Sequence, residues 1–292
     1  MLIQDIIQAI HPLQVIGMSD GLQSLNIEHL LTDSRQLGSK AENTLFFAIS
    51  TTKNDGANYI PQLAERGVKA FVLEKKSLDN LAELVPLAEL DSLVFLVTEN
   101  SLVALQTLAA YKRSLYHGPV IGITGSNGKT VVKEWLYQLL KDDYRITRSP
   151  RSYNSQIGVP LSVWQLNEQT ELAIFEAGIS QPGEMDALRA IIQPSIGVFT
   201  NIGQAHQENF QTLEDKCMEK LKLFSESEVL IYCADDAIVS GGVAAMNYAG
   251  RRFAWTLKAD AEAEVSVRAE QTDEKSTHIT YTYEGATHTF TL

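Results

Sequence analysis

The sequence predicts an α/β protein of two domains, the second built on a parallel sheet, and three observations predict it. From residue 120 onward short apolar runs alternate with amphipathic helical stretches; a glycine-rich turn joins the first such strand to the first such helix; and Gly118-Pro119 separates this series from an earlier one with its own short strands. Strand and helix alternating in this way form a parallel sheet covered by helices on both faces. The 292 residues suffice for two ordinary cores, since domains run to roughly 100–200 residues.

The N-terminal stretch MLIQDIIQAI places Leu2, Ile3, Ile6, Ile7 and Ile10 on one helical face and carries Asp5 with no basic region before it. It reads as a first helix, not a signal peptide. Strands follow at 44–49, 70–73 and 93–97, with a helix over 60–66, bounded by Gly38, Gly56 and Gly67. These predict a small first domain over 1–98. Residues 101–111 read as a helix leading to Gly118-Pro119, so a second domain is expected over 99–292. Its elements are a strand at 120–124, helix 130–141, strand 172–176, helix 183–192, strand 196–200, helix 212–224 and strand 229–233. In the last forty residues Val265, Val267, Ile279, Tyr281 and Tyr283 alternate with polar neighbours, as antiparallel strands at a domain edge do.

With 45% hydrophobic and 21% charged residues the chain has a globular composition. A formal charge of −12 argues against a surface made to neutralise nucleic-acid phosphates, so nucleic acid is not an expected partner and any phosphate must be held locally. No apolar run approaches the roughly 18 residues that a membrane span needs. Cys217 and Cys233 are too few and too poorly spaced for a disulfide framework or a zinc site, which fits a reducing, cytoplasmic setting.

The strongest chemical signal is Gly122-Ile-Thr-Gly-Ser-Asn-Gly-Lys-Thr130, which leaves an apolar strand and enters a helix carrying Val132, Trp135, Leu136 and Leu139. Gly125, Ser126, Asn127 and Gly128 present backbone N–H groups to phosphate at a helix N-terminus, Lys129 adds positive charge, and Thr130 offers a hydroxyl to Mg²⁺. The general G-x-x-x-x-G-K-[ST] pattern wants glycine at 123, where Ile stands. Glu176 closes the apolar strand Leu172 to Phe175, and His206 follows the next strand, so a carboxylate and an imidazole fall at the sheet's ligand edge. Alone, each is more often a solvated cap or a hydrogen-bonded loop residue. Beside the glycine-rich loop, they are candidate Mg²⁺ ligands.

On helix 212–224 the inward stripe is Leu213, Cys217, Leu221 and Phe224, and Lys220 falls inside it. A buried ammonium is costly, so this amine is expected to be neutral or paired, unless it snorkels to solvent. Lys216, one turn earlier, competes for the same role.

Thr124-Gly-Ser-Asn-Gly-Lys-Thr130 resembles the phosphate loop of the Mur ligases and folylpolyglutamate synthetases. The resemblance continues through Asn154-Ser-Gln-Ile-Gly-Val-Pro160, Glu176, Gly183-Glu-Met185 and Thr200-Asn-Ile-Gly-Gln-Ala-His206. Asp33-Ser34-Arg35, Leu45-Phe-Phe-Ala48 and Asp55-Gly56 resemble the N-terminal UDP-binding domain of the tripeptide-forming and D-alanyl-D-alanine-adding Mur ligases, and the motifs at 154–160 and 183–185 favour the latter. The resemblance implies a UDP-sugar-precursor-binding domain followed by a central phosphate-loop ATPase domain, with ATP and two Mg²⁺ ions as cofactors. It implies UDP-N-acetylmuramoyl-tripeptide and D-alanyl-D-alanine as substrates, an acyl phosphate as intermediate, and Ser34, Arg35, Thr44 and Asn154 as substrate contacts.

It also implies that Lys220, fourteen residues after His206, is carbamylated to make an anionic Mg²⁺ ligand. Cys233 stands where the family commonly has Asn in the Asn-Ala-Asp-Asp segment near adenine, here Cys233-Ala-Asp235-Asp236. The family's third, C-terminal ligase domain supplies part of the ATP site and the acceptor site, and some members carry a fused alanine racemase. The chain is therefore expected to be a fragment, ending within the central domain and turning over little alone. The competing expectations are a folylpolyglutamate synthetase-like ligase, disfavoured by the UDP-type first domain, and a nucleotide- or precursor-binding module without catalysis.

Overall fold

The computed structural model describes residues 1–52, 54–78, 92–205, 207–258, 263–271 and 276–291. They form two compact units, Met1–Leu115 and Tyr116–Leu292. The division falls beyond the expected boundary near 98. The helix Ser101–Ser114 buries Ala104, Leu105, Leu108 and Ala109, and packs on strands of the first unit and on the helix Ile3–Ile10. It closes the first core instead of leading into the second, and Gly118-Pro119 is the break.

The first unit has five strands, β1 (Gln14–Ile16), β2 (His29–Leu31), β3 (Thr44–Phe47), β4 (Ala70–Glu74) and β5 (Val94–Thr98), in the order β1-β5-β4-β3-β2. β1 pairs antiparallel with β5, and the other neighbours are parallel. β3, β4 and β5 are buried at every position, which is why they read as continuous apolar runs. Their register sets Phe46, Phe71 and Phe95 side by side across three strands. Phe71 and Phe95 stack at 5.4 Å, and Phe46 meets Phe71 edge-on at 6.4 Å. Such pairs add about 0.5–1.5 kcal/mol each beyond area burial. In the first helix Ile3, Ile6 and Ile10 are buried, while Leu2 precedes the helix and is 43% exposed.

The second unit is one nine-stranded sheet: β6 (Val120–Thr124), β7 (Ile146–Arg148), β8 (Leu172–Glu176), β9 (Ile196–Phe199), β10 (Val229–Cys233), β11 (Arg251–Thr256), β12 (Val265–Gln271), β13 (Thr277–Tyr283) and β14 (Ala286–Thr291). The order is β14-β13-β12-β11-β10-β9-β6-β8-β7. From β7 through β8, β6, β9, β10 and β11 to β12 each neighbouring pair is parallel, and β12, β13 and β14 form the antiparallel edge that the alternating pattern predicts. After β8 the chain crosses β6 to build β9 on its other side. This reversal is the switch point at which parallel sheets open a crevice for ligands.

The helix Lys129–Leu140 covers this sheet through Val132, Leu136 and Leu140, which pack on Ile121, Ile123, Leu172 and Ile174. Trp135 and Leu139 are 57% and 74% exposed and share the outer face with Val131. The helix phase is set by Lys133, one turn after Lys129, whose side chain is wholly buried. Among the described residues no helix is long and apolar enough to cross a membrane.

Candidate functional site

At the carboxyl end of β6 the chain must turn sharply to start a helix. Gly125 sits at φ +141°, and a Cβ there would stand 2.0 Å from Thr200 Oγ1; Gly128 caps the helix at φ +80°. Both positions exclude ordinary side chains. The loop is held from the β9 side: Ser126 N donates to Asn201 O (2.8 Å), Asn127 N to Asn201 Oδ1 (3.1 Å), Thr200 Oγ1 to Asn127 O (2.6 Å) and Gly203 N to Ser126 Oγ (2.9 Å). The Thr200-Asn-Ile-Gly segment therefore works chiefly as a brace for the loop. His206, which the sequence offers as a metal ligand three residues further on, lies outside the described residues.

Lys129 Nζ folds back onto the loop, donating to Gly125 O (2.8 Å) and Ser126 O (3.3 Å). Burial lowers its pKa, and the nearby Glu176 carboxylate opposes that shift. Gly125, Ser126, Asn127, Gly128, Lys129 and Thr130 are thus gathered in one turn, at a helix N-terminus where anions are favoured.

The β8 side supplies the carboxylate. Register sets Glu176 opposite Ile123, beside the start of the loop. Its Oε2 accepts from Thr130 Oγ1 (3.1 Å) and Asn154 Nδ2 (3.3 Å), so three of the expected site residues converge. Its Oε1 lies 3.0 Å from Lys133 Nζ, with neither side chain exposed. That contact is close enough for ion pairing yet misaligned for a hydrogen bond, and Oε1 accepts none. Sequence reading missed Lys133. The signal was available: Lys133 stands one turn after Lys129 and so on the same helix face.

Lys216 and Lys220 are both buried on the helix Leu213–Leu221, at 1% and 3% exposure. Lys216 Nζ donates to the carbonyls of Gly203 and Ala205, bracing the segment after β9. Lys220 is different: burial first, then the charges of Lys129 and Lys216, lower its pKa to about 8. This amine gives up its proton far more readily than an ordinary lysine, and its neutral form is the nucleophilic one.

The donor set fits a phosphate-bound Mg²⁺. Thr130 Oγ1 and the Oε2 of the buried Glu176 carboxylate meet beside the loop, and Mg²⁺ commonly takes one or two carboxylates with phosphates and waters. Among the described residues no three His, Cys, Asp or Glu side chains converge to hold an ion. The protein would contribute a few ligands, and the nucleotide the rest.

The other expected residues are separated or committed. In the first unit Thr44 opens β3 opposite His29, donates to Lys40 O (2.9 Å), and lines a cavity of about 460 Å³ with His29, Gln36, Gly38 and Lys40. Ser34 and Arg35 follow the opposite, carboxyl end of β2. Ser34 O accepts from Arg66 (3.2 Å), while the exposed Arg35 guanidinium pairs with Asp33 at 2.7 Å. In the second unit Asp236 caps the helix Ala237–Ala245 through Ile238 N and Val239 N. Asp235 ties β10 to β11 by accepting from Thr256 Oγ1 (2.6 Å) and Leu257 N (2.8 Å). Cys233 ends β10, opposite Trp255.

Similarity to known proteins follows the same outline. The UDP-N-acetylmuramoyl-tripeptide–D-alanyl-D-alanine ligase of Borreliella burgdorferi is 36% identical over 207 residues, 69% of this chain and 44% of that protein. The ligase of the same name from Bacillus subtilis is 36% identical over 217 residues, 73% of this chain and 45% of that one. The chain thus spans less than half the length of these relatives. MurF from Acinetobacter baumannii shares the fold at a TM-score of 0.81 and 23% identity, over 99% of this chain and 60% of that one. The MurF ligase of Thermotoga maritima, solved in complex with ADP, gives 0.76 at 25% identity, over 94% of this chain and 59% of that one. Residues 123–292, which hold the loop, Glu176 and Lys220, match the Mur ligase middle domain, and the chain belongs to the Mur ligase family.

Proposed function

We propose that this chain forms the nucleotide-binding and UDP-precursor-binding part of a cytoplasmic ATP-dependent ligase that joins D-alanyl-D-alanine to UDP-N-acetylmuramoyl-tripeptide. The observation that carries the reading is the convergence of Thr130, Glu176 and Asn154 beside a braced glycine-rich loop. The names of the relatives supply the substrates.

In this reading an oxygen of the tripeptide carboxylate attacks the γ-phosphorus of ATP. The bond to the bridging oxygen breaks, ADP leaves, and an acyl phosphate forms. The amine of D-alanyl-D-alanine then attacks the acyl carbon, losing a proton and expelling inorganic phosphate. Charge moves across the phosphoryl group in the first step, and stabilising it is the main demand on the protein.

The Gly125–Gly128 turn and the helix N-terminus it opens onto receive the phosphates, and Lys129 exchanges its loop carbonyls for phosphate oxygens. Thr130, Glu176 and His206 would hold Mg²⁺, which supplies Lewis-acid charge at the phosphoryl oxygens. Asn154 contacts the substrate beside Glu176, and Ser34, Arg35 and Thr44 contact the UDP-sugar in the first unit. The neutral amine of Lys220 would add to CO₂, forming an N–C bond and releasing one proton, and the carbamate would serve as a further anionic ligand for a second Mg²⁺.

Calorimetric titration of the chain with UDP-N-acetylmuramoyl-tripeptide, plain UDP and folate tests the substrate assignment, with MgATP titrated separately. Binding that requires the tripeptide portion is the expected result. Heat with folate and none with the UDP-precursor would instead favour a folylpolyglutamate synthetase-like ligase.

A further inference from the structure

Lys133 has no part in the scheme above, yet it is the most heavily engaged charge near the loop. Its ammonium donates to Ser149 O (2.8 Å) and to Arg151 O, and lies 3.1 Å from Glu134 Oε1 and 3.0 Å from Glu176 Oε1. Arg151 adopts φ +49°, a left-handed conformation that a non-glycine residue holds only when its surroundings impose it. Glu176 N donates to Ser149 Oγ (3.2 Å), and Gly178 N donates to Asn154 O (2.7 Å). The Ser149–Asn154 segment is therefore tied to the end of β8 at both its ends, and to the phosphate-loop helix through Lys133.

The two oxygens of Glu176 divide the work. Thr130 and Asn154 meet Oε2, and Lys133 faces Oε1. A carboxylate with no solvent exposure keeps its charge only where a compensating charge is near. Lys133 supplies that charge without competing for the loop, where Lys129 already stands.

We propose that Lys133 is a positioning residue for the nucleotide's divalent cation. It holds the Glu176 carboxylate and the Ser149–Asn154 segment in the one arrangement that brings Oε2, the Thr130 hydroxyl and the Asn154 amide together. It touches neither nucleotide nor metal. The inference rests on the nucleotide-site reading, and the two can fail separately.

The test is the affinity of the chain for a non-hydrolysable ATP analogue, measured calorimetrically in excess Mg²⁺ and again in EDTA. Wild type, Lys133→Met, Lys133→Gln, Glu176→Gln and the Lys133→Gln/Glu176→Gln pair are compared, with thermal unfolding as a check on folding. Lys133→Gln keeps a donor for the Ser149 carbonyl and carries the test should the Met variant not fold. The expected result is an unchanged affinity in EDTA, a loss on the order of 10-fold to 100-fold in Mg²⁺, as outer-shell partners of metal sites give, and a double variant no weaker than Glu176→Gln alone. An unchanged ratio of the two affinities, with only a lowered unfolding temperature, would reduce Lys133 to a core ion pair and overturn the proposal. Equal losses in both arms would also overturn it, by showing that Lys133 acts on the loop itself. No binding by the wild type in either arm would overturn the nucleotide site, and this inference with it.

Discussion

Lys133 Nζ and Glu176 Oε1 face each other at 3.0 Å with neither side chain exposed to solvent. Removing one member of such a pair strands the other charge, at a cost of about 3–5 kcal/mol, whereas replacing both by apolar groups is often near neutral. Lys133→Met and Glu176→Leu are each expected to destabilise the second unit strongly. The double variant should lose clearly less than the sum, although Glu134, 3.1 Å from Lys133, retains some demand for the ammonium. Urea unfolding followed by tryptophan fluorescence reads this unit alone, because Trp135, Trp164 and Trp255 all lie in it. Strict additivity would mean that the two side chains act independently.

Gly125 and Gly241 make a controlled contrast. At Gly125 a Cβ would stand 2.0 Å from Thr200 Oγ1 and 3.0 Å from the Asn201 backbone, with φ at +141°, whereas at Gly241 it would meet nothing within 4 Å. Gly125→Ala is expected to strain the loop by about 1–3 kcal/mol. Because its N–H groups would then point away from phosphate, nucleotide affinity should fall at least about tenfold, the equivalent of 1.4 kcal/mol. Gly241→Ala, inside the helix Ala237–Ala245, should instead stabilise by about 0.5–1 kcal/mol. Equal effects at the two sites, in calorimetry and urea unfolding, would contradict the steric account of the loop.

Asp236 accepts from Ile238 N and Val239 N, both at 3.1 Å. Its loss should cost about 0.5–2 kcal/mol as an N-cap, and Asn should restore most of it. Urea unfolding of Asp236→Ala and Asp236→Asn separates this from a charge effect: an Asn variant as unstable as the Ala variant would mean that the carboxylate's charge, not its capping geometry, is what the helix uses.

Sequence legibility followed burial and length. Strands at 120–124, 172–176 and 229–233 were read to the residue; the first two are buried at every position, so their apolar runs end where the strand ends. β1, β2 and β7 escaped notice because three residues leave no room for a period. In the site, Lys129, Thr130 and Glu176 could be read because a strand, a glycine turn and a helix define their places together. Lys220 was legible from helix phase, and Lys133 should have been by the same reasoning. Trp135 and Leu139, apolar but exposed, blur the inner face of that helix, so its apolar positions alone do not place Lys133 on it. Thr44 and Ser34 were grouped by motif, but strand direction sets them at opposite ends of the first sheet.

Lys220 should give a marked pH signature in stability. Burial, with Lys129 and Lys216 adding to it, lowers the Lys220 pKa from 10.5 to about 8, so the folded chain releases this proton while the unfolded chain still holds it. Stability therefore rises with pH between about 8 and 10.5 on account of this group. Below that window the buried ammonium costs on the order of 3 kcal/mol, at 1.36 kcal/mol for each tenfold change in proton affinity. Lys220→Met should accordingly be more stable than wild type at neutral pH, with an advantage that fades towards pH 10.5; a difference independent of pH would mean that folding leaves the affinity of this amine for its proton unchanged. The same free amine is what CO₂ requires. With ¹³C-bicarbonate above pH 8, a carbamate resonance is expected in wild type and in Lys216→Met and absent in Lys220→Met. A resonance that survives in Lys220→Met and disappears in Lys216→Met would move the modification one turn back along the helix, to the residue whose ammonium the structure already commits to the carbonyls of Gly203 and Ala205.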